Sequence, residues 1–241
     1  MGGPMIHVGT SGWTYDDWSG PFYPENVRRT EWLSYYAARF DTVEINATFY
    51  RIPTQPMIDA WNRRLPTTFH LAVKGPRSIT HVRRLEDYQD LLAVFLQRVL
   101  KLNALEVILW QLPPSLERDL GRLEGFLEAL PPKVRHAVEF RHPSWWDEET
   151  SAVLRRHAAA QVAVSHPQLP DALRPTADFL YLRFHGLGRQ LYRYRYSREE
   201  LAQWASRLRP HLAERTLYAY FNNDFDAHAV ANAVEFRGLL D

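Results

Sequence analysis

The fold is decided by residues 137–146, which read Ala137-Val138-Glu139-Phe140-Arg141-His142-Pro143-Ser144-Trp145-Trp146. In the first half of this stretch, apolar Val138 and Phe140 alternate with charged Glu139 and Arg141. An alternation with a period of two predicts a β-strand whose two faces differ in polarity. Charges of both signs on one face indicate a site or a paired network, because isolated charges are costly to bury. The strand cannot continue beyond Pro143, which has no backbone N–H.

The same order of apolar strand, polar strand end, loop and helix recurs along the chain. Besides the strand above, strands are predicted over residues 6–10, 42–46, 69–74, 107–112, 162–165, 179–185 and 217–221. Apolar stripes at helical spacing predict helices across residues 91–102 and 116–130. Ser197 and Glu200 form a capping box for a further helix, and Ser144 and Asp224 are expected to cap two others.

About eight strand–helix units in 241 residues favour an α/β fold of the (β/α)8 type, a single TIM barrel over residues 1–241. A doubly wound open sheet is the alternative. It is disfavoured because no G-x-G-x-x-G sequence follows the first strand. We therefore predict one TIM-barrel domain.

The composition excludes several classes of protein. A net charge of +1 gives no general attraction to nucleic acid or membranes, so a charged partner must be recognised locally. The absence of cysteine excludes disulfides and fits a reducing compartment. No signal peptide is recognisable, and no apolar run approaches the roughly 20 residues that span a bilayer. We predict a cytoplasmic location and no membrane partner.

Several motifs resemble those of the YecE-like family, family 72 among the domains of unknown function. They are Gly9-Thr10-Ser11-Gly12-Trp13, Phe22-Tyr23-Pro24, Val43-Glu44-Ile45-Asn46-Ala47-Thr48-Phe49-Tyr50, Ile79-Thr80-His81, Gln111-Leu112-Pro113-Pro114, Glu139-Phe140-Arg141-His142-Pro143-Ser144-Trp145, Arg183-Phe184-His185-Gly186 and Phe221-Asn222-Asn223. The resemblance implies a TIM barrel but no assigned activity. The chain departs from the family at Ser165-His166, where an acidic residue is expected nearby, so the role of this strand end is left open.

The candidate site residues follow the predicted strands. In barrels of this type the site lies at the carboxyl ends of the strands. Alternation predicts that Glu44, Glu139 and His185 face the barrel interior, and these are our candidate catalytic residues. The candidate substrate-binding residues are Trp13, Asn46, Tyr50, Lys74, His81, Gln111, Arg141, His142, Trp145, Arg183, Asn222 and Asn223.

Our leading hypothesis is a hydrolase-like enzyme of the phosphoester class that acts on an anionic substrate. Arginine forks and lysine suit phosphate oxygens, so Lys74, Arg141 and Arg183 would hold the anion. A glutamate would act as general base and His185 as general acid. Basic and aromatic residues are interleaved in loops 75–84 and 186–196, a composition suited to a nucleic-acid strand. The predicted partner is a small anionic substrate or such a strand.

Alternative hypotheses use the same residues. A carbohydrate-active enzyme would use Glu44 and Glu139 as its two carboxylates. Its sugar platforms would be Trp13, Trp18, Trp145 and Trp146. The nearby cations disfavour this hypothesis, because they would keep both carboxylates ionised.

Two non-catalytic interpretations are a structural salt-bridge network and a module that binds nucleic acid or a metabolite. A divalent metal could be held only by a loose set of residues, namely Glu44, Glu139, His142, His185 and Asp224. We assign no metal ligand and no definite cofactor, and leave a divalent metal open. The oligomeric state is not predicted.

Overall fold

The computed structural model describes residues 5–241, within which lie nine β-strands and eight α-helices. The prediction that the N-terminus lacks a signal peptide also concerns residues 1–4, which lie outside the described residues. The strands are β1 Ile6–Thr10, β2 Thr42–Ile45, β3 His70–Lys74, β4 Leu105–Gln111, β5 Arg135–Glu139, β6 Ala160–Gln161, β7 Ala163–Ser165, β8 Phe179–Phe184 and β9 Thr216–Phe221. The helices are α1 Trp32–Ala37, α2 Ala47–Tyr50, α3 Gln55–Arg64, α4 Gln89–Val99, α5 Leu120–Glu128, α6 Glu148–Arg156, α7 Arg198–Leu208 and α8 His228–Leu240.

The strands form two parallel sheets, in the orders β1-β9-β8-β7 and β2-β3-β4-β5-β6. Most strand residues are buried on both faces, as is typical of parallel sheets covered by helices. The predicted α/β class is therefore confirmed. The predicted closed barrel is not, because neither sheet closes on itself by hydrogen bonds among the described residues.

The predicted strand at residues 162–165 is divided between the two sheets. The N–H of Val162 donates to the carbonyl of Val138 in β5, whereas Ala163 is in register with Leu182 of β8. The chain consequently leaves one sheet and enters the other within two residues. An uninterrupted apolar run carries no signal for such a change of pairing partner.

The chain divides into two compact units. Unit 1 comprises Met1–Glu44, Ala163–Leu173 and Asp178–Asp241, and unit 2 comprises Ile45–Val162 and Arg174–Ala177. In unit 1, Phe184 of β8 and Phe221 of β9 are paired in register, and their rings stack with centroids 4.2 Å apart. Phe236 of α8 meets both rings edge-on. This aromatic contact fastens α8 to the sheet.

In unit 2 the core is centred on Trp110 of β4. Its ring meets Phe95 of α4 and Phe126 of α5 edge-on, at centroid distances of 5.8 and 4.9 Å. Its indole N–H donates to Nδ1 of His136, at 3.2 Å. Because Trp110 is fully buried, this bond satisfies a donor that would otherwise be costly to bury.

Several predicted helix ends differ from the structure. Ser197 and Glu200 form the predicted capping box of α7. The capping role of Ser144 is wrong, because residues 143–145 form a 3-10 turn and Asp147 caps α6 instead. The capping role of Asp224 is also wrong. Asp226 and Ala227 adopt left-handed backbone conformations, so α8 begins only at His228.

No helix within residues 5–241 is both long and apolar enough to cross a bilayer. The longest helix, α8, has 13 residues.

The space around Gly75 and Gly125 predicts opposite effects of replacing each glycine by alanine. A Cβ atom on Gly75 would lie 2.3 Å from the Trp110 ring, so Gly75→Ala should lower the free energy of unfolding by about 1–3 kcal/mol. Gly125 on α5 has open space around it, and Gly125→Ala should raise stability by up to about 1 kcal/mol. Urea denaturation measures both. Equal effects of the two substitutions would contradict this packing.

Candidate functional site

A buried hydrogen-bond network in unit 1 surrounds the carboxylate of Glu44. The side chain is fully buried near the carboxyl end of β2 and accepts three hydrogen bonds. Ser11 Oγ and Arg183 Nη2 donate to Oε1 at 2.6 and 2.7 Å, and the hydroxyl of Tyr181 donates to Oε2 at 2.6 Å. We call these four residues the Glu44 network.

The backbone places the members of the Glu44 network. Tyr181 and Arg183 are two residues apart on β8 and therefore lie on the same face, as alternation predicts. Ser11 follows β1 and forms an isolated parallel bridge with Glu44. The N–H of Gly12 donates to the Glu44 carbonyl at 2.8 Å, which fixes the main chain of β2 at this point.

The Glu44 network is a compensated charge pair rather than an open binding site. Both carboxylate oxygens already accept hydrogen bonds, and Glu44, Arg183 and Tyr181 are all buried. Burial, followed by the charge of Glu44, raises the pKa of Tyr181 well above its usual value, so its hydroxyl remains a donor. This arrangement favours a structural role for Glu44 over the predicted role of general base.

The residues that follow β8 and β9 are also packed into unit 1. Nδ1 of the buried His185 lies 3.2 Å from the side-chain nitrogen of Asn222. The amide of the fully buried Asn223 donates to the carbonyl of Tyr194 at 2.8 Å and to Asn232 at 2.9 Å. Asn223 therefore holds the loop of residues 186–196 by a hydrogen bond to its main chain. Its position after a strand does not predict this role.

The strand end whose role was left open makes packing contacts with the segment after β8. The hydroxyl of Tyr196 donates to Ser165 Oγ at 2.9 Å, and the Ser165 carbonyl accepts from the N–H of His185. The ring of His166 meets the ring of His185 edge-on, at 6.0 Å. These contacts join the end of β7 to the segment after β8.

A second group of charged residues lies at one edge of the sheet in unit 2. Lys74, Gln111 and Glu139 are the last residues of β3, β4 and β5, which are neighbours in the sheet. Because the strands are parallel, their carboxyl ends meet at the same edge. Glu139 is fully buried and accepts a hydrogen bond from Nε of Arg141. The side chain of Arg141 is only 13% exposed.

Two aromatic contacts describe the surroundings of Lys74 and His81. Lys74 is 9% exposed, and its Nζ lies 4.0 Å from the centroid of the Phe49 ring. The His81 ring meets the same Phe49 ring edge-on, with ring centroids 5.0 Å apart. Nδ1 of His81 lies 2.9 Å from Thr80 Oγ1 within a π-helical turn, Ser78–Val82. Such turns occur frequently at functional sites.

The charges around His81 are mostly positive. Burial lowers the pKa of His81 to about 4, and the charges of Lys74 and Arg77 add to this effect. Arg141 acts in the same direction, whereas Glu139 opposes it. His81 is therefore neutral at pH 7. We call Lys74, Arg77, His81, Glu139 and Arg141 the cationic cluster.

A short helix with an unsatisfied cap borders the cationic cluster. The hydroxyl of Thr48 in α2 donates a hydrogen bond to the Lys74 carbonyl oxygen at 2.7 Å. This bond joins α2 to the end of β3. The N-cap residue of α2 is Asn46, whose Oδ1 is buried and has no hydrogen-bond partner. Leaving such an atom unpaired costs about 1–3 kcal/mol. A ligand hydroxyl would satisfy it.

The remaining predicted substrate-binding residues have different environments. Gln111 is half-buried and in register with Glu139. The side chain of His142 caps the 3-10 turn by accepting from the N–H of Ser144. Trp13 is half-buried in the loop after β1, and Tyr50 is exposed at the end of α2.

Trp145, predicted to contact a substrate, lies in the core of unit 2. Its ring is fully buried and stacks on Phe140 at 4.8 Å, and its N–H donates to the carbonyl of Leu116 at 2.8 Å. Trp18, considered as a sugar platform, is also fully buried, with its N–H bonded to the carbonyl of Asp224. Tryptophans beside polar motifs resemble binding residues in sequence, but here they pack.

Sequence reasoning missed Tyr181 and Thr48 as site residues. Tyr181 has the same strand parity as Arg183, so a signal for it was present. Thr48 acts through a hydrogen bond to the main chain of Lys74, which no sequence pattern specifies. Within residues 5–241 there is no group of three or more His, Asp or Glu side chains placed to hold a metal ion. The loose ligand set considered above is therefore not assembled.

These observations define an α/β protein with parallel sheets and polar clusters at strand ends. The family described as "Protein of unknown function DUF72" matches residues 7–241, and the chain belongs to this family. A DUF72 family protein from Thermotoga maritima MSB8 has a crystal structure with a TM-score of 0.85 and 33% sequence identity, covering 98% of this chain and 99% of that one. A family structure from Enterococcus faecalis V583, at 19% identity and a TM-score of 0.83, shares the fold.

Two curated proteins are also similar to this chain. The UPF0759 protein YunF of Bacillus subtilis is 27% identical over 98% of this chain and 95% of its own length. The UPF0759 protein YecE of Escherichia coli K12 is 32% identical over 59% of this chain and 50% of its own length. The predicted YecE-like family is thus confirmed.

Two substitutions in the Glu44 network should lower the free energy of unfolding by different amounts. Arg183→Met should lower the free energy of unfolding by about 3–5 kcal/mol, because it leaves the buried Glu44 carboxylate without its countercharge. Tyr181→Phe removes one hydrogen bond to the same carboxylate and should cost about 1.5–3 kcal/mol. Chemical denaturation measures both values. If the double variant Glu44→Gln/Arg183→Met were as unstable as the sum of its single variants, the proposed pairing would be wrong.

Proposed function

We propose that the cationic cluster binds an anion and that the protein is a hydrolase-like enzyme acting on a phosphate-bearing substrate. The observation that carries the proposal is the grouping of Lys74, Arg77 and Arg141 around the neutral His81, with Glu139 as the opposing carboxylate. The cations exceed the anion in this group. A bound anion would restore the balance of charge.

The types of cation in the cluster favour phosphate. Arginine presents a planar fork that matches two phosphate oxygens, whereas lysine acts as a compact point charge. Arg141 is held in place by its hydrogen bond from Nε to Glu139. Lys74 and Arg141 are largely shielded from water, so their attraction for an anion is weakly screened.

His81 supplies a proton acceptor in this proposal. Its neutral imidazole would accept a proton from water as the water oxygen attacks phosphorus. The bond from phosphorus to the ester oxygen would break, and the departing alkoxide would take the proton from the His81 imidazolium. The negative charge of a bound phosphate raises the pKa of a nearby imidazole. Substrate binding would therefore make His81 a stronger base. This role replaces the general-base role predicted for a glutamate. His185, the predicted general acid, is buried in unit 1.

The carbohydrate hypothesis has less support. Glu44 accepts hydrogen bonds on both oxygens, and Glu139 accepts one from Arg141. A glycosidase acid must carry a proton at neutral pH, which arginine pairing opposes.

A phosphate-binding module without catalysis is the alternative that experiment must separate from the enzyme. Nucleic acid as a phosphate-bearing partner of loop 186–196 stays a prediction.

Substitutions in the cationic cluster test anion binding. Lys74→Met and Arg141→Met should each weaken the binding of inorganic phosphate at least about tenfold, because each removes one shielded charge. Isothermal titration calorimetry measures the dissociation constants. Arg63→Met on the exposed surface of α3 is the matched control and should bind phosphate as the unaltered protein does.

Turnover separates the enzyme from the binding module. His81→Gln should reduce the hydrolysis rate of phosphate monoesters at saturation while leaving phosphate binding within a few-fold of normal. Binding without hydrolysis of any monoester or diester would support the module. Phosphate affinity equal in Lys74→Met and the Arg63→Met control would refute the anion site itself.

The low pKa of His81 predicts a pH dependence of anion binding. Sulfate is a suitable probe because it does not titrate near neutral pH. In the free protein the pKa of His81 is about 4, and a bound dianion raises it, so the complex holds more protons than the free protein above that pH. Sulfate affinity should therefore increase as the pH falls from 7 towards 4. His81→Gln should show a shallower slope, and an unchanged slope would exclude His81 as the titrating group.

A further inference from the structure

An exposed aromatic ring lies next to the cationic cluster. Tyr50, the last residue of α2, is 81% exposed. Its ring lies edge-on to Phe49, with centroids 5.2 Å apart, and Phe49 in turn carries the Lys74 ammonium 4.0 Å from its own centroid. The Phe49 ring therefore contacts both the Lys74 ammonium and the exposed ring of Tyr50.

The position of Tyr50 is fixed by the backbone. Thr48 Oγ1 lies 2.7 Å from the Lys74 carbonyl oxygen and 3.0 Å from the Ile45 carbonyl oxygen, which joins α2 to the strand end that carries the ammonium. Thr48 itself is fully buried. Tyr50 is two residues further along the same short helix. The main chain that carries Tyr50 is therefore joined to the main chain that carries Lys74.

An exposed aromatic face beside a phosphate site favours a particular kind of ligand. Water solvates a flat apolar surface poorly, and a planar ring that stacks on it removes both surfaces from water. Stacking of this kind tolerates different rings, because every aromatic ring presents a π face. A ligand with a phosphate alone, or with a non-planar sugar, would leave the Tyr50 face uncovered.

We propose that the substrate is a phosphate ester whose alcohol part carries a planar ring, with the phosphate at Lys74 and the ring stacked on Tyr50. The inference rests on the proposed function, because it uses the same anion site. The ring belongs either to a nucleoside monophosphate or to an aryl phosphate. Both have the required chemistry, and the experiment separates them.

Calorimetry with four probes tests the proposal. The probes are inorganic phosphate, glucose 6-phosphate, phenyl phosphate and adenosine 5′-monophosphate. The two ring-bearing esters should bind at least about tenfold more tightly than glucose 6-phosphate, which has no planar ring. Tighter binding of adenosine 5′-monophosphate identifies the nucleoside as the preferred source of the ring. Tighter binding of phenyl phosphate identifies the aryl ester.

Variants of Tyr50 assign the effect to its ring. Tyr50→Ala should abolish the advantage of the ring-bearing esters and leave the affinity for inorganic phosphate unchanged, whereas Tyr50→Phe should keep the advantage. Val94→Ala removes an exposed apolar side chain from α4 and serves as the control, with no expected effect.

Three results would overturn the inference in distinguishable ways. If inorganic phosphate binds but all esters bind equally, the aromatic preference is wrong and the anion site stands. If the advantage persists in Tyr50→Ala, the ring is held elsewhere. If no probe binds, the proposed function fails together with the inference.

Discussion

The constraint on which this structure depends is that a charge buried at a strand end must have a partner. Glu44 and Glu139 are both fully buried, and each accepts a hydrogen bond from an arginine. In unit 1, serine and tyrosine hydroxyls also donate to Glu44, so both of its carboxylate oxygens accept hydrogen bonds. Breaking such a pair is strongly destabilising, whereas forming it yields little net stability. The Glu44 network therefore joins Ser11, Tyr181 and Arg183 through one buried carboxylate.

The cationic cluster in unit 2 follows the same rule with a different result. Several positive groups act on His81, and burial together with their charges keeps its pKa near 4. Asn46 Oδ1, at the cap of the adjoining helix α2, has no hydrogen-bond partner. An excess of positive charge is a feature that a ligand can compensate. This difference between the two groups directs the functional proposal to unit 2.

Much of the fold could be predicted from the sequence, because alternation and helical spacing depend only on local burial. Alternation predicted that Glu44 and Glu139 face inward, and both side chains are fully buried. The division of residues 160–165 between two sheets depends on pairing partners far away in the chain, so no local pattern predicts it. The burial of Trp145 is likewise set by its contact with Phe140 and the carbonyl of Leu116. Polar residues at strand ends were thus located correctly, but sequence alone could not separate a closed network from a site with excess charge.

The most direct test of the anion site is a nuclear magnetic resonance titration of the His81 ring with and without sulfate. The free protein should give a pKa of about 4 for His81. Saturating sulfate should raise this pKa by at least about one unit, because the dianion stabilises the imidazolium form. A His81 pKa that stays near 4 under saturating sulfate would contradict the account, since the anion would then be bound away from the cationic cluster.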